Sequence, residues 1–272
     1  MQNNMIVIRG GGDLASGVAL RLHHAGFQAV ILELPKPLAV RRSVSFAEAV
    51  YEGSQTIEGV TARLASADQI MVTLELDEIP VLIDPEANIL RNSFVTSPQS
   101  TIVIDARLLK STPEKLGSKF ALHIGLGPGF IAGKNCDAVI ETQRGHTLGR
   151  AYWDGSAHAD NRQPDGDLRR VLRAPTDGQM SPRARIGDHL EAGQIIAEIQ
   201  TVNAETIQIN SPFKGILRGL IHPDVGIKKD MKIGDVDSRD DPALCTLISD
   251  KALAIGGGAL EAALVYMKKL ES

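Results

Sequence analysis

The sequence predicts an α/β fold whose N-terminal part is a Rossmann-like, mostly parallel sheet domain, and three observations predict it. The short β-branched run "MIVI" at 5–8 is typical of a buried parallel strand. Three glycines follow, and Leu14, Val18 and Leu22 then stand four positions apart, as on one face of a helix. After Gly26 a second apolar run, "FQAVILEL", completes a strand–turn–helix–strand unit, whose crossover should be right-handed.

Further apolar runs of strand length continue this pattern. Helix-length or turn-rich connections separate them, which favours a doubly wound sheet with helices on both faces. The runs are "IMVTLEL" (70–76), "IPVLID" (79–84), "TIVIDA" (101–106), "FALHIGL" (120–126) and "AVIETQR" (138–144).

The texture of the sequence changes near residue 154, where an Asp-, Gly- and Asn-rich stretch without periodicity indicates a linker. Beyond it, Ala174-Pro175-x-x-Gly178 recurs as Ser211-Pro212-x-x-Gly215, and a second glycine signal follows each copy. This weak repeat resembles the barrel-sandwich hybrid of biotinyl and lipoyl domains. Those carriers present a lysine between their halves, whereas "TVNAETIQIN" at 201–210 contains none. We therefore expect a structural or partner-binding β domain.

These changes divide the chain into a Rossmann-like domain at 1–165, a barrel-sandwich-hybrid-like β domain at 166–245 and a C-terminal segment at 246–272. The last segment ends in a helix on which Leu260 and Leu264 share a face. We expect this helix to pack back on the first domain, because a small barrel offers it little surface to bury against.

Composition excludes several classes of function. A net charge of −4 without a Lys/Arg-rich block gives no reason to expect nucleic acid as a partner. The apolar runs fall short of the ~20 residues of a membrane helix, and the N-terminus shows no signal-peptide pattern. The two cysteines lie far apart without a Cys/His cluster, which fits a reducing cytosol and no metal site. We expect a cytoplasmic protein, and a homo-oligomer is compatible with the sequence.

The first glycine loop satisfies the G-x-G-x-x-A fingerprint between a strand and a helix. In that motif Gly10 permits the tight turn, Gly12 lets the backbone approach a pyrophosphate, and the helix N-terminus offers free N–H groups. Glu33 ends the second strand near the ~20-residue offset at which a carboxylate binds ribose hydroxyls. Asp13 could cap the helix, but its charge repels phosphate. The candidate cofactor-binding residues here are Gly10, Gly11, Gly12, Asp13 and Glu33. The alternative is a plain tight turn beside an exposed carboxylate.

A second glycine loop, "IGLGPGFIAG", follows a later strand and carries Gly125, Gly127 and Gly129. In open parallel sheets, ligands bind beyond the carboxyl ends of the strands where the strand order reverses. The two loops are therefore expected to form opposite walls of one crevice. Arg144, at the end of the next predicted strand, suits a phosphate or carboxylate group of the ligand.

Two residues near Arg144 are candidates for catalysis. His146 could transfer protons near neutral pH, although a structural role is an equal alternative. Cys136 could be a reactive thiol if a cation or helix end stabilises its thiolate, but a single unclustered cysteine is more often buried and inert.

Several long segments, taken in order, resemble the YqeB family of accessory proteins associated with selenium-dependent molybdenum hydroxylases. They are "MIVIRGGGDLASGVALRLHHAGF", "VILELPKPLAVRRSVSFAEAVYEG", "IGLGPGFIAGKNCDAVIETQRGHTLGR", "RGLIHPDVGIKKDMKIGDVDSR" and "ISDKALAIGGGALEAAL". The resemblance covers nearly the whole chain and implies a role in maturing such a hydroxylase or its molybdenum cofactor. It implies hydroxylase or cofactor-maturation proteins as partners, and it supplies no catalytic residues.

The expected function is therefore that of an accessory protein in hydroxylase maturation. It would bind a nucleotide or another phosphate-bearing small molecule, such as a molybdopterin-type cofactor, in the crevice. One alternative is an NAD-dependent oxidoreductase, which the fingerprint and Glu33 favour. A second alternative is a non-catalytic scaffold for hydroxylase assembly, which the lysine-free β domain favours.

Overall fold

The computed structural model describes residues 5–91, 100–113, 116, 120–159, 167–239 and 241–271. The expected domain boundary at 165/166 lies outside the described residues, and the three-part division stays a prediction. The strands and helices before residue 160 are β1 (Met5–Arg9), α1 (Asp13–His24), β2 (Ala29–Glu33), α2 (Ala49–Glu52), β3 (Ser54–Ile57), β4 (Val60–Leu64), α3 (Ile70–Glu75), β5 (Ile79–Ile83), β6 (Thr101–Asp105), β7 (Leu122–Leu126), β8 (Ile131–Ala132), β9 (Ala138–Ile140), β10 (Ala151–Tyr152) and β11 (Gly155–Ser156).

Nine of these strands form one sheet in the order β10-β9-β7-β6-β1-β2-β5-β4-β3. Neighbours from β4 through to β9 run parallel, whereas β3 and β10 are antiparallel edge strands. The central strands face a core on each side: Ile6 and Ile8 lie on the face covered by α1, and Val7 and Val103 lie on the opposite face. Burial on both faces requires apolar side chains at successive positions, which explains the short Ile- and Val-rich runs.

The second part of the chain forms two four-stranded antiparallel sheets, β12-β19-β17-β14 and β16-β15-β13-β18, around one apolar core. The elements are β12 (Val171–Arg173), β13 (Gly178–Pro182), β14 (His189–Leu190), β15 (Ile195–Gln200), β16 (Thr206–Asn210), β17 (Gly215–Leu220), β18 (Gly226–Ile227), β19 (Lys232–Asp237), α4 (Ala243–Thr246) and α5 (Asp250–Glu271). Gly178 and Gly215, the repeated glycines, begin strands of different sheets. A Cβ atom on either glycine would lie 2.4 Å from a carbonyl oxygen of the neighbouring strand, which explains the repeat.

The predicted fold class, a Rossmann-like mostly parallel domain plus a barrel-sandwich-hybrid-like domain, is wrong. The large sheet is mixed, because an antiparallel strand is added at each edge, and the β region consists of two antiparallel sheets. Helices do not cover both faces either. The run at 70–76, predicted as a strand, forms the short helix α3, and among the described residues only α1 and α5 exceed six residues. Both of these pack on the same core.

Helix α5 packs against α1 through small residues. A Cβ on Gly17 would lie 2.6 Å from the Ala252 carbonyl oxygen, and a Cβ on Gly256 would lie 2.4 Å from that of Gly17. The buried face carries alanines such as Ala259, whereas Leu264, predicted to face the core, is 50% exposed. By length and composition alone, the stretch Ala243–Leu270 could cross a membrane. Its contacts with α1 are those of a core helix.

Candidate functional site

The carboxyl edge of the large sheet contains a reversal of strand order at β1. The chain proceeds from β1 to β2 on one side, and β6 later pairs with β1 on the other side. Loops that leave β1 and β6 therefore diverge, and the gap between them is where parallel sheets bind ligands. The first glycine loop lies at this point.

The three glycines of the first loop have three different reasons to be glycine. Gly10 has a φ of +92°, a conformation that L side chains rarely adopt. Gly11 is crowded, since a Cβ there would lie 3.0 Å from the Ala47 nitrogen. Gly12 has φ −65° and ψ 179°, and nothing lies within 4 Å of the position that its Cβ would occupy. The fold itself therefore requires no glycine at Gly12.

The backbone N–H and carbonyl groups of Gly11 are both hydrogen-bonded within the protein. Its N–H donates to a Glu33 carboxylate oxygen at 2.6 Å, and its carbonyl accepts from the Ala47 N–H at 2.8 Å. Glu33 is 8% exposed and also accepts from the Leu34 N–H. Burial raises the pKa of Glu33, and the two backbone hydrogen bonds oppose that shift. The carboxylate predicted to bind ribose is thus buried and holds the glycine loop in place.

Asp13 is the first residue of α1, and Gly12 is its N-cap. The Asp13 carboxylate accepts from the Leu14 N–H and lies 3.5 Å from the Arg41 guanidinium. Arg41 is 8% exposed, and it also donates to the Leu244 carbonyl near the start of α5. The nearby guanidinium reduces the repulsion that Asp13 would exert on a phosphate.

Arg9 and Arg107, which sequence reasoning did not select, bring positive charge to the same edge. Both donate to the carboxylate of Asp105, which is 1% exposed at the end of β6. Arg107 lies directly beside the first loop, since its Cγ is 3.5 Å from the position of a Cβ on Gly10. Two guanidinium groups share one carboxylate, so this trio has one positive charge in excess. An arginine ending an otherwise apolar buried strand was the signal available in the sequence.

The second glycine loop serves packing. A Cβ on Gly125 would lie 2.0 Å from the Phe130 ring, and one on Gly129 would lie 2.4 Å from the Leu109 carbonyl oxygen. Gly127 has a φ of +82° and lies against Thr142. Phe130 is fully buried, so its ring fills the core. These glycines are explained without a ligand.

The two candidate catalytic residues have different surroundings. Cys136 packs with Phe130 and Val139 in a small buried cluster, and burial raises the pKa of its thiol to about 12. A thiolate is therefore disfavoured there. His146 lies in the turn before Leu148, which packs against the core under α1 and α5.

Arg144 makes a bidentate ion pair with Asp250, the first residue of α5, at 2.6 and 2.7 Å. Hydrogen bonding from Arg144 lowers the pKa of Asp250 to about 2, with burial opposing this shift. This arginine therefore anchors the start of α5, and its predicted contact with a ligand stays a prediction.

Glu141 and His158 form a second feature that sequence reasoning missed. Glu141 follows β9 and is fully buried, and its carboxylate accepts from the backbone N–H groups of Gln143 and His158 and from the His158 ring. Burial alone would raise the pKa of Glu141, but these hydrogen bonds outweigh it, and the pKa is lowered. The His158 ring is 57% exposed. His158 lies in the stretch that composition indicated was a linker, which hid it.

A cleft of about 700 Å³ opens at the ends of β4 and β5 and is lined by Leu64, Ser66, Ile83 and Asp84 among others. Across the part of the chain that the structure describes, no group of three or more His, Cys, Asp or Glu residues is arranged to hold a metal ion.

Comparison with known proteins gives one strong sequence match. No family model matches the chain. The chain is 43% identical over 270 residues, 97% of its length, to the "Uncharacterized protein YqeB" of Escherichia coli strain K12. It spans 48% of that protein, about half its length.

The likeness to solved structures is weak. An aspartoacylase family protein of Mesorhizobium loti is 11% identical, with 86% of this chain and 84% of that chain covered and a TM-score of 0.27. The ectoine utilization protein EutE (DoeB) of Ruegeria pomeroyi is 9% identical, with 85% of each chain covered and a TM-score of 0.27. Scores this low carry no inference for the present chain.

Proposed function

From the premise that this chain is a relative of YqeB along 97% of its length, we propose that it is an accessory protein in the maturation of a selenium-dependent molybdenum hydroxylase or its cofactor. In this proposal it binds a phosphate-bearing small molecule at the carboxyl edge of its large sheet. Its partners are a hydroxylase or cofactor-maturation proteins, and it acts in the cytoplasm. The maturation role rests on the family resemblance, and the ligand rests on the geometry.

The open space at Gly12 is the observation that carries the ligand proposal. Its backbone conformation is available to any residue, and among the described residues no atom beyond its chain neighbours lies within 4 Å of the position of a Cβ. A ligand that approaches the backbone closely would account for a glycine at this position. Gly12 is also the N-cap of α1, where the N–H groups of the first turn attract anions, and one of them, the Leu14 N–H, already donates to the Asp13 carboxylate.

Positive charge beside this space favours a phosphate group. Arg107 flanks the loop and shares the carboxylate of Asp105 with Arg9, whose charge is also offset by Glu86 and Asp84. Guanidinium groups bind phosphate through paired hydrogen bonds. In this proposal the helix terminus and Arg107, which lies beside Gly10, bind the same anion.

The NAD-dependent alternative has less support. Recognition of NAD in the predicted manner requires Glu33 to bind the ribose hydroxyls. That carboxylate is 8% exposed and already accepts two backbone hydrogen bonds. Removing it from Gly11 would leave a buried donor unpaired, which costs about 1–3 kcal/mol.

Thermal-shift titration with NAD, NADP, ATP, CTP and molybdopterin tests the ligand. A ligand at 100 times its Kd should stabilise the fold by about 2.7 kcal/mol. Gly12→Val should leave the melting temperature of the free protein nearly unchanged and abolish the ligand-induced shift. Gly257→Ala is the matched control, since its position is also free of atoms within 4 Å but lies within α5. Stabilisation by none of the compounds, or an undiminished shift in Gly12→Val, would contradict the proposed site.

The maturation role is tested separately in cells that contain a selenium-dependent molybdenum hydroxylase. Deleting the gene for this protein should lower the selenium or molybdenum content of the purified hydroxylase, as measured by elemental mass spectrometry. Restoring the wild-type gene should recover that content, whereas the Gly12→Val gene should not. An unchanged metal and selenium content after deletion would refute this role.

A further inference from the structure

We propose that Glu141 and His158 form a carboxylate–imidazole general base at the carboxyl edge of the large sheet, which acts on an O–H group of the phosphate-bearing ligand or of a water molecule beside it. This inference rests on the proposed ligand. The side chains concerned are separated by 17 positions in the sequence.

The Glu141 carboxylate determines which nitrogen of the His158 ring carries the proton. Glu141 is fully buried, and its carboxylate holds both the backbone N–H and the Nδ1 of His158. A carboxylate at Nδ1 keeps the proton on that nitrogen and leaves Nε2 as the acceptor. The ring is 57% exposed, so Nε2 is available to a ligand from solvent. Catalytic histidines of this kind are oriented by a buried carboxylate in the same way.

The pair lies along the same edge as the proposed anion site. Asp105 on β6 is in register with Gly125 on β7, and Gly125 is in register with Val139 on β9. Side chains alternate along a strand, so Glu141, two residues after Val139, is on the face of Val139 and Asp105. Two strand spacings separate β6 from β9, which is about 10 Å. A ligand of nucleotide size can therefore reach from Arg107 to His158.

The second glycine loop contacts the residues that flank Glu141. The Gly127 N–H donates to the carbonyl of Ile140 at 3.0 Å, and Thr142 packs against Gly127. The residues on either side of Glu141 thus hold Gly127 of the second glycine loop. A fixed loop keeps the base at a constant position relative to the strand ends, and such positioning is a requirement for efficient proton transfer.

The proton transfer involves only the O–H group and the Nε2 atom of His158. His158 Nε2 takes the proton from the O–H group, and the oxygen keeps the electron pair of the broken O–H bond as an alkoxide or hydroxide. The imidazolium that forms is stabilised by the Glu141 carboxylate at Nδ1, and Nε2 later returns the proton to that oxygen or to solvent water. Glu141 is a positioning residue in this scheme, and His158 is the catalytic residue.

Hydrolysis of p-nitrophenyl acetate by the full chain tests the basic nitrogen without the natural ligand. Imidazole attacks the ester carbonyl, p-nitrophenolate leaves with the electron pair, and water then hydrolyses the acetyl-imidazole. His158→Gln should lower the rate by about ten-fold or more, and Glu141→Gln should lower it by a smaller factor at an unchanged circular dichroism spectrum. His24→Gln, a change at an exposed histidine at the end of α1, is the control and should keep the full rate. An unchanged rate in His158→Gln would overturn the proposal.

A protection experiment links the base to the ligand, with ATP as the probe. Diethyl pyrocarbonate modifies free imidazole nitrogens, and peptide mapping reports the rate at His158 and at His24. If ATP stabilises the protein and slows modification at His158 alone, the inference is supported. If ATP stabilises the protein without protecting His158, the base is not part of the ligand site, and the inference fails while the proposed function stands. If none of the titrated compounds stabilises the protein, the proposed function fails, and the assignment of the base to a phosphate-bearing ligand fails with it.

Discussion

The two glycine loops at the carboxyl edge of the large sheet use glycine for different reasons. In the second loop, the Phe130 ring fills the space that a Cβ on Gly125 would need, and a carbonyl oxygen fills that space at Gly129. Packing alone therefore explains both glycines. In the first loop, Gly10 and Gly11 are likewise required by the fold, but Gly12 borders open space. A glycine-rich motif therefore indicates a ligand only where neither conformation nor crowding accounts for the glycine.

The carboxylates beside the loops differ in a parallel way. Glu33 supports the first loop, and burial raises its pKa. Glu141 holds Gln143 and His158 instead, and these hydrogen bonds lower its pKa despite burial. The first carboxylate is therefore a buried acceptor whose charge is disfavoured, whereas the second is a buried carboxylate whose charge is stabilised by donors.

The largest expected effect is at the second loop. Gly125→Ala places a Cβ 2.0 Å from the Phe130 ring, which is fully buried and cannot move aside without disturbing its cluster. We expect a loss of about 3 kcal/mol in the free energy of unfolding. Denaturant unfolding followed by circular dichroism measures it. Gly12→Ala, expected to change stability by less than about 0.5 kcal/mol, is the matched control. Equal losses of stability in the two variants would contradict the difference in crowding between Gly125 and Gly12.

A smaller loss is expected when the support of the first loop is removed. Glu33→Ala leaves the buried N–H groups of Gly11 and Leu34 without their acceptor, so stability should fall by about 1–3 kcal/mol. Glu33→Gln keeps one acceptor oxygen and should lose less. If Glu33→Ala is as stable as the wild type in denaturant titrations, the carboxylate does not hold the loop.

The pH dependence of the two carboxylates should have opposite signs. The pKa of Glu141 is lowered from an ordinary value of 4.5, so its ionised form contributes stability above pH 4.5 that is lost as the pH falls through the lowered pKa. The cost of Glu141→Gln should therefore be greater at pH 7 than at pH 3.5.

The pKa of Glu33 is raised from the same ordinary value of 4.5, so folding favours its protonated form. The stability of the wild type relative to Glu33→Gln should be greatest below pH 4.5 and should fall as the pH rises through the raised pKa. Unfolding titrations of both variants at pH 3.5 and pH 7 measure these trends, and trends of the same sign would contradict the assignment.

The smallest effect extends the comparison to the three successive glycines of α5. Gly256 packs against the Gly17 carbonyl oxygen, whereas Gly257 has no atom within 4 Å of its missing Cβ. Gly257→Ala should stabilise the protein by about 1 kcal/mol, because alanine has the higher helix propensity. Gly256→Ala should destabilise it, since the two helices must separate. Thermal unfolding of this pair checks whether crowding alone distinguishes adjacent glycines.

Local sequence patterns are enough to predict the elements at the start of the chain. Two apolar runs predict β1 and β2, and apolar residues spaced four apart after a glycine turn predict α1. These patterns lie between neighbouring residues, so they can be read without the tertiary structure. The sequence prediction failed at 70–76, where a capping box formed by Ser66 and Gln69 starts the helical stretch. The apolar run at 70–76 forms helix α3 with Met71 and Val72 exposed, although its β-branched residues favoured a strand.

The contacts between charged groups at the carboxyl edge depend on the tertiary structure. Glu33 meets Gly11 across 22 positions, and Arg9 meets Asp105 across 96. His158 was hidden in a polar stretch until the fold brought it to Glu141. Sequence patterns report which residues share a strand or a helix, whereas the partner of a buried charge depends on which strands are neighbours. The glycines marked the place, and the fold showed that Gly12 is the one with room for a ligand.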